Sequence, residues 1–228
     1  MKVKAIWRYP VKTMAGEKLQ RVHIGPLGID GDRVVHVEDA HGRVITSRSH
    51  PRFLGHKGTL GPDGEPLVDN LPWNSPEVAA EVVNIVGPGA KLVRYDGIER
   101  FDVLPLLVAT DGAIAAFGHD SRRLRPNIVI GGVQGLAERE WPGGCLRIGK
   151  VLIGAQDLRL RCIMTSYDPD TLVQDKEVTR SIYRRFDGKL ALNCFVIEGG
   201  EIKVGDEVHL VHGHDRLSSG ADMVSAAE

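Results

Sequence analysis

Cysteine is scarce in this chain: only Cys145, Cys162 and Cys194 occur among its 228 residues. No two of them form a Cys-x-x-Cys pair, which is the spacing typical of zinc ribbons and thioredoxin-type redox sites. A small and odd number of cysteines also argues against a disulfide scaffold. Iron–sulfur clusters usually need four organised ligands, so we expect no iron–sulfur cluster.

Long apolar runs and long runs of one charge are absent too. The start of the chain, Met1–Trp7, lacks the apolar core of a signal peptide, and no window approaches the roughly 20 apolar residues of a membrane span. The 29 basic and 30 acidic residues give a net charge of −1, without the basic run typical of nucleic-acid binding. We therefore expect a cytoplasmic protein with no membrane span and no nucleic-acid partner.

The signatures of several common enzyme classes are missing as well. Nine histidines occur, but none form a His-x-x-x-His or His-Glu-x-x-His metal motif. There is no Gly-x-Ser-x-Gly elbow of a serine hydrolase. His209, His212 and His214 lie close together, but they are at the end of the last predicted strand and in the tail, and we do not expect a zinc site there.

What is present predicts a mainly β fold with a few helices. The 27 glycines and 12 prolines are spread along the chain and divide it into short apolar runs, which are typical of strands separated by turns. This pattern favours a barrel or sandwich-like β architecture. The predicted strands are Val3–Trp7, Arg21–Ile24, Arg33–Val37, Val44–Ser47, Ala90–Tyr95, Asn127–Ile130, Cys145–Ile148, Val151–Leu160, Ala191–Glu198, Glu201–Val204 and Val208–Val211.

Helical patterns are few. Thr110 is a suitable N-cap for a helix over Asp111–Phe117, which Gly118 would end. A second helix is predicted over Lys176–Phe186, and a weaker pattern covers Glu77–Val83. The segment 60–76 is rich in Gly, Pro, Asp and Asn and predicts a loop.

The most informative stretch surrounds Cys162. This cysteine follows Arg161 at the end of an apolar run, and the turn-forming segment 168–171, Asp-Pro-Asp-Thr, comes soon after it. A cation beside a thiol favours the thiolate, which is a soft metal ligand or a nucleophile. Thr165 and Ser166 add hydroxyl groups that can orient a ligand. The alternative is a buried, inert cysteine, and that is our interpretation of Cys145 and Cys194.

Cations and hydrogen-bonding groups recur at four other places. Arg125 precedes Pro126, which predicts an extended backbone that aims the guanidinium in one direction. Taken alone, Arg125 is equally consistent with an ordinary surface cation, Lys12 is better interpreted as a solvated lysine, and Arg33 could simply pair with Asp32 at the surface. The candidates are Arg125 and Asn127, Lys12 and Thr13 after Tyr9-Pro10, Arg33 after a glycine-flanked turn, and Arg48 in a polar loop.

These motifs, in this order, resemble the MOSC family, which is named for the C-terminal domain of molybdenum cofactor sulfurase. The resemblance covers roughly residues 1–212. It implies a β-barrel MOSC fold at 99–213, an N-terminal MOSC β-barrel-like domain at 1–98, and a disordered tail at 214–228. It is carried by Tyr9-Pro10-Val11-Lys12-Thr13, Gly31-Asp32-Arg33, Thr46-Ser47-Arg48, Arg125-Pro126-Asn127, Leu146-Arg147-Ile148-Gly149, Arg161-Cys162, Asp168-Pro169-Asp170-Thr171 and Ile202-Lys203-Val204-Gly205-Asp206.

Within this family the motifs are most similar to those of the mitochondrial amidoxime reducing component and its bacterial relatives. That similarity implies a molybdenum cofactor, a molybdenum–pyranopterin, with Cys162 as both metal ligand and catalytic residue. It also implies reduction of small N-oxygenated substrates with electrons from separate electron-transfer proteins. The cofactor-binding positions implied are Lys12, Thr13, Arg33, Arg48, Thr110, Arg125, Asn127, Arg161 and Thr165.

The chain departs from the family at some points. Leu172 stands where glycine often follows the Asp-Pro-Asp-Thr turn, so the loop on the substrate side is expected to differ. No aminotransferase-like domain is present, and we expect no use of pyridoxal phosphate. Two other functions remain open: a non-catalytic carrier of the cofactor or of sulfur on Cys162, and a MOSC-like scaffold whose pocket binds another anion.

Overall fold

Short strands and turns make up most of the chain, which confirms the mainly β class with a few helices. The structure, a computed structural model, describes residues 1–211. The predicted disordered tail, His212 and His214 lie outside the described residues. Within residues 1–211 there are three α-helices. They are α1 (Pro76–Val86), α2 (Asp111–Phe117) and α3 (Lys176–Phe186).

Seventeen strands occur in the same part of the chain. They are β1 (Lys2–Arg8), β2 (Glu17–Leu19), β3 (Arg21–Gly25), β4 (Gly28–Ile29), β5 (Val35–Glu38), β6 (Val44–Ile45), β7 (Gly58–Leu60), β8 (Pro66–Val68), β9 (Leu71–Pro72), β10 (Lys91–Arg94), β11 (Leu106–Thr110), β12 (Ile128–Gly131), β13 (Cys145–Ile148), β14 (Val151–Leu160), β15 (Lys189–Glu198), β16 (Gly200–Lys203) and β17 (His209–Val211).

One eight-stranded sheet organises the larger part of the molecule. Its order is β17-β13-β14-β15-β11-β12-β1-β2, with β11 and β12 parallel and the other neighbouring pairs antiparallel. The sheet curls so far that β1 approaches the segment just before β17. There Val3 N–H donates to Asp206 O at 2.9 Å, and Val3 O accepts from Gly205 N–H at 2.8 Å. The described strand pairing still leaves β17 and β2 as edges, so it is a curled sheet rather than a closed ladder.

The curled sheet encloses the largest core. Alternate residues point inward along its strands, and side chains such as Ile6, Val108, Ile128 and Leu146 are fully or almost fully buried there. Each such aliphatic side chain contributes about 1.5–3 kcal/mol on burial. Cys194 belongs to this core and Cys145 is buried as well. Core positions for these two cysteines agree with our interpretation of them.

A second core lies under the N-terminal strands. Val11, Met14, Phe53 and Val82 are buried together, with α1 packed against β10 and β9. The segment that follows β1 crosses this unit, since Lys12 N–H donates to Val35 O at 2.7 Å and Val35 N–H donates to Pro10 O at 3.2 Å. These bonds fix the backbone that carries Lys12 and Thr13.

The predicted loop over 60–76 is partly wrong. It contains β8 and β9, which form a small antiparallel sheet with β7. Asp69 and Asn70, with φ of +50° and +70°, make the turn between them, a conformation that Asn and Asp tolerate best among non-glycine residues. Val68 is buried in the second core. Turn-forming composition hid strands only two or three residues long.

Candidate functional site

The segments that carry Lys12, Arg33, Arg125 and Cys162 line one open cavity. Its volume is about 900 Å³, which includes space open to solvent. Its lining is strongly cationic, with one carboxylate, Asp102, among the described residues. The cationic lining residues are Lys12, Arg33, Arg48, Arg123, Arg125, Arg159 and Arg161. A cavity of this charge is suited to a polyanionic ligand.

Cys162 lies at the wall of this cavity. It follows the end of β14 in an extended conformation, with φ −126° and ψ 179°, and precedes a short 3-10 turn over Ile163–Ser166. The turn is held to it, because Thr165 N–H and Oγ1 both hydrogen-bond to Cys162 O, at 3.1 and 2.9 Å. Its side chain is partly exposed. Cys162 therefore differs from the two core cysteines and can reach a ligand.

A cation shares the cavity wall with the Cys162 thiol. It is Arg48, whose side chain donates to Asp102 Oδ2 at 2.6 Å. Burial opposes the charge on Arg48, but Asp102 and the Cys162 thiol outweigh it, so the pKa of Arg48 is raised. This arrangement provides the positive field near the thiol that the sequence predicts from Arg161.

The acidic turn after Cys162 is held from within. Asp168 Oδ1 accepts hydrogen bonds from the Asp170 and Thr171 amides at 3.1 and 3.0 Å, and from Thr171 Oγ1 at 3.1 Å. Asp168 Oδ2 also accepts from Arg123 at 2.9 Å. The backbone amides and then the other donors keep the pKa of Asp168 below its usual value. Its role here is to shape the turn.

Arg159 and Arg161 project from the end of β14 and from the residue after it. Arg161 is buried: its Nη2 donates to Leu124 O at 2.6 Å, and its Nε has no hydrogen-bond partner among the described residues. Burial, followed by the neighbouring charge of Arg159, lowers the pKa of Arg161 to about 10. An unsatisfied buried donor of this kind indicates a site that a bound anion would complete.

Arg125 adopts a conformation that the sequence did not predict. We expected Pro126 to hold Arg125 extended, but its φ is +53° and its ψ is +50°. The reason is that Arg125 ends the 3-10 turn over Ser121–Leu124, where its N–H donates to Arg122 O at 3.1 Å. A left-handed non-glycine residue costs about 1–2 kcal/mol, and such strain often accompanies functional sites.

The Arg125 side chain stacks on Tyr9, with its guanidinium 4.3 Å from the ring centroid, and it hydrogen-bonds to no side chain or carbonyl in the described chain. Burial lowers its pKa to about 10. The Arg33 guanidinium lies 5.4 Å from the same ring. Burial raises the pKa of Tyr9 to about 12, so the phenol stays neutral between two cations, and its Oη donates to Pro126 O at 3.2 Å.

Asp32 and Asn127 hold Arg33 in place. Arg33 hydrogen-bonds to Asp32 Oδ2 and, at 3.4 Å, to Asn127 Oδ1. Asp32 is fully buried and also accepts from the Tyr9 amide at 2.7 Å and from Asn127 Nδ2 at 3.2 Å. Asn127 further accepts from the Leu107 amide at 3.1 Å. Asn127 thus lines the cavity, but its amide already serves as a structural bridge.

Lys12, Thr13 and Arg48 line the same cavity. Lys12 Nζ donates to Arg100 O at 2.9 Å and pairs with Asp102 Oδ1 at 2.8 Å. Thr13 is buried with φ +79°, and its hydroxyl is hydrogen-bonded to Ser47. Since a β-branched residue rarely takes this conformation, Thr13 is held there by its surroundings.

Nine of the ten predicted site residues therefore line one cavity: Lys12, Thr13, Arg33, Arg48, Arg125, Asn127, Arg161, Cys162 and Thr165. Thr110 is the exception. It is fully buried and caps α2, accepting from the Ala113 amide at 3.0 Å and donating to Glu138 Oε2 at 3.1 Å. The structure corrects the assignment of Thr110 to the cofactor site, because its hydroxyl already donates one hydrogen bond and accepts another within the fold.

We expect Thr110→Ala to lower stability without changing ligand binding in the cavity. The substitution removes the cap of α2 and one partner of the buried Glu138 carboxylate, whose Oε1 already has none in the described chain. These losses cost about 2 kcal/mol, or roughly 4–8 °C in melting temperature for a chain of this size. Calorimetric melting measures the loss of stability, and titration with inorganic phosphate, used as a test anion, measures ligand binding in the cavity. Weakened phosphate binding would contradict this role for Thr110.

Three charged cavity residues escaped the sequence analysis. Arg159 shows a recognisable signal, because residues two apart on a strand share a face and Arg161 was already a candidate. Asp102 and Arg123 had none: Asp102 comes from the irregular segment before β11 and Arg123 from a 3-10 turn. Their positions depend on tertiary packing.

Comparison with known proteins places the chain in a family. A model described as the MOSC N-terminal beta barrel domain matches residues 1–72, and one described as the MOSC domain matches residues 112–209. The chain therefore belongs to the MOSC family, as its motifs indicated.

Individual relatives are more distant. The chain is 26% identical to mitochondrial amidoxime-reducing component 1 of Homo sapiens, over 92% of this chain and 82% of that protein. It is 24% identical to mitochondrial amidoxime reducing component 2 of Macaca fascicularis, over 91% and 82%. Among solved structures, the YUAD protein from Bacillus subtilis matches with a TM-score of 0.48 and 13% identity, covering 92% of this chain and 94% of the other.

Residues 1–211 contain neither a cluster of metal-ligating side chains nor a helix suited to a membrane. No group of three or more His, Cys, Asp or Glu side chains there is arranged to hold a metal ion. No helix in that range combines the length and apolar character needed to cross a membrane.

Proposed function

We propose that this protein is a molybdenum-cofactor oxidoreductase that reduces small N-hydroxylated or otherwise N-oxygenated compounds. The observation that carries the proposal is the cavity at Cys162, where one accessible thiol lies among seven cations and one carboxylate. The names of the amidoxime-reducing relatives support the substrate class.

The residues present fit a molybdenum–pyranopterin. This group is polyanionic and phosphorylated, and the cavity offers buried guanidinium groups, including an Arg161 Nε with no partner in the described chain. Charge-assisted bonds from Arg to phosphate are among the strongest hydrogen bonds in proteins. Arg33, Arg125 and Arg161 would hold the anionic part, and Lys12 and Thr13 lie beside them.

Cys162 would be the protein's ligand to the metal. Thiolate is a soft ligand suited to such metals, and the described residues offer no competing set of His, Cys, Asp and Glu ligands. When bound, the cofactor supplies two-electron redox chemistry, while the protein supplies the ligand, the orientation and the access. Thr165, bonded to Cys162 O, would fix the direction of the thiol.

A more open hollow adjoins the cationic cavity at Cys162 and shares part of its lining. The exposed apolar residues of this hollow include Val103, Leu160 and Tyr183. A small substrate with an apolar body can approach through this hollow while the cofactor fills the cationic cavity. Two electrons and two protons convert the N–OH group to N–H and water. The electrons would come from a separate electron-transfer protein. We also propose that the protein acts in the cytoplasm.

The test is reduction of a simple amidoxime by the protein purified from a molybdenum-replete host, with a chemically reduced viologen dye as electron donor. We expect the corresponding amidine as product, and no product from protein made in a host that cannot synthesise the cofactor. Cofactor-loaded protein that does not reduce amidoximes or other N-oxygenated compounds would contradict the proposal and favour a carrier.

A further inference from the structure

Asp102 is the one acidic side chain that lines the cationic cavity in the described part of the chain. Its two carboxylate oxygens are divided among three cations. Oδ1 lies 2.8 Å from Lys12 Nζ, while Oδ2 lies 2.6 Å from Arg48 Nη2 and 3.6 Å from Arg159 Nη2. The carboxylate thus occupies the position that an external oxyanion would take between these side chains.

The cations around Asp102 also share the cavity with the Cys162 thiol. Arg48 and Arg159, like Cys162, line the adjoining open hollow as well. Although burial opposes its charge, Lys12, Arg48 and Arg159 together lower the pKa of Asp102. At neutral pH the carboxylate is therefore ionised and competes with any anion for the same three partners.

Few backbone hydrogen bonds hold the segment that carries Asp102. On one side Phe101 is buried and stacks with Arg100, whose side chain is tied to Asp96 O and Leu27 O. Asp102 and Val103 themselves make no backbone hydrogen bond to any part of the described chain, and Val103 is 49% exposed. Side-chain ion pairs alone hold the carboxylate in the cavity.

Asp102 also lies between the two matched family domains, outside residues 1–72 and 112–209. The carboxylate thus comes from the connecting segment, whereas all seven cations that line the cavity lie within the matched domains.

We propose that Lys12, Arg48 and Arg159 form an exchangeable oxyanion subsite beside Cys162, and that Asp102 is its internal occupant. A phosphate group or a comparable oxyanion binds there by displacing the carboxylate, because two anions cannot share three cations at these distances without strong repulsion. Release of Asp102 frees the 102–103 segment. This inference concerns anion binding and does not depend on the identity of the cofactor or the substrate.

The experiment uses cofactor-free full-length protein and inorganic phosphate, with the affinity measured by calorimetric titration at low ionic strength. We expect Asp102→Asn to bind phosphate at least about tenfold more tightly than the wild type, a difference of about 1.4 kcal/mol. Asp102→Glu restores a competing carboxylate and should bind like the wild type. Glu81→Gln, which removes a surface carboxylate paired with Arg52, is the matched control and should leave the affinity unchanged.

Hydrogen exchange provides a second readout of displacement. In the wild type, phosphate should accelerate exchange in peptides that span 96–104. In Asp102→Asn this segment should exchange rapidly with or without phosphate. Equal affinities in the wild type and Asp102→Asn, an equal gain in Glu81→Gln, or tighter binding with no effect of phosphate on exchange in the wild type would each overturn the proposal.

Discussion

Replacing Cys162 with alanine should abolish amidoxime reduction while leaving the fold intact. The thiol is partly exposed at the end of β14, so its removal creates no cavity in the core. The side chains proposed to hold the anionic part of the cofactor remain, and we expect pterin to co-purify with the variant. Activity should fall to the level of cofactor-free protein, because alanine cannot replace the thiolate as a metal ligand. The assay with an artificial electron donor measures this loss.

The matched control is Cys194→Ala. Cys194 is fully buried in the core of the curled sheet, and burial, followed by the charge of Asp157, raises the pKa of its thiol. Loss of its sulfur should lower stability by about 1 kcal/mol and leave the turnover number unchanged. Retained activity in Cys162→Ala, or complete inactivation of a folded Cys194→Ala, would refute the assignment of Cys162.

Arg161→Gln should raise the stability of the cofactor-free protein but weaken its binding of anions. In the empty protein Arg161 is a buried cation near another cation, Arg159, with an unpartnered Nε in the described chain. Removing that charge should raise the melting temperature of cofactor-free protein by about 2–4 °C, since relief of about 1 kcal/mol produces such a shift. Scanning calorimetry measures this effect.

The same variant should bind anions less tightly. A hydrogen bond to a charged group contributes about 1.5–3 kcal/mol, so phosphate affinity and cofactor retention should fall by roughly tenfold to a hundredfold. Arg147→Gln is the control, because Arg147 pairs with Glu198 at the exposed surface and should affect neither measurement. A lower melting temperature for Arg161→Gln with undiminished phosphate affinity would show that Arg161 serves the fold instead.

Local signals in the sequence predict much of the secondary structure. Helices α2 and α3 and strands β13 and β14 have the bounds predicted, because caps, glycines and strong periodicity act within a few residues. Strand β11 was missed although it lies at the centre of the large sheet. It is a short apolar run buried on both faces, without the alternation of apolar and polar residues that identifies a half-buried strand.

The composition of the candidate site was more predictable than its geometry. Family motifs identified residues that share one cavity, but the left-handed conformations of Thr13, Arg33, Arg125 and Leu172 were not expected. The φ of +58° at Leu172 accounts for the glycine that often stands at this position in the family, because glycine adopts this conformation without strain. These backbones are imposed by tertiary contacts, which local propensity does not contain.

The most direct test of the central claim is the molybdenum and pterin content of protein purified from a molybdenum-replete host. The account predicts about one molybdenum and one pyranopterin per chain, with the metal lost and the pterin retained in Cys162→Ala. Protein that folds normally in that host but contains neither molybdenum nor pterin would contradict it.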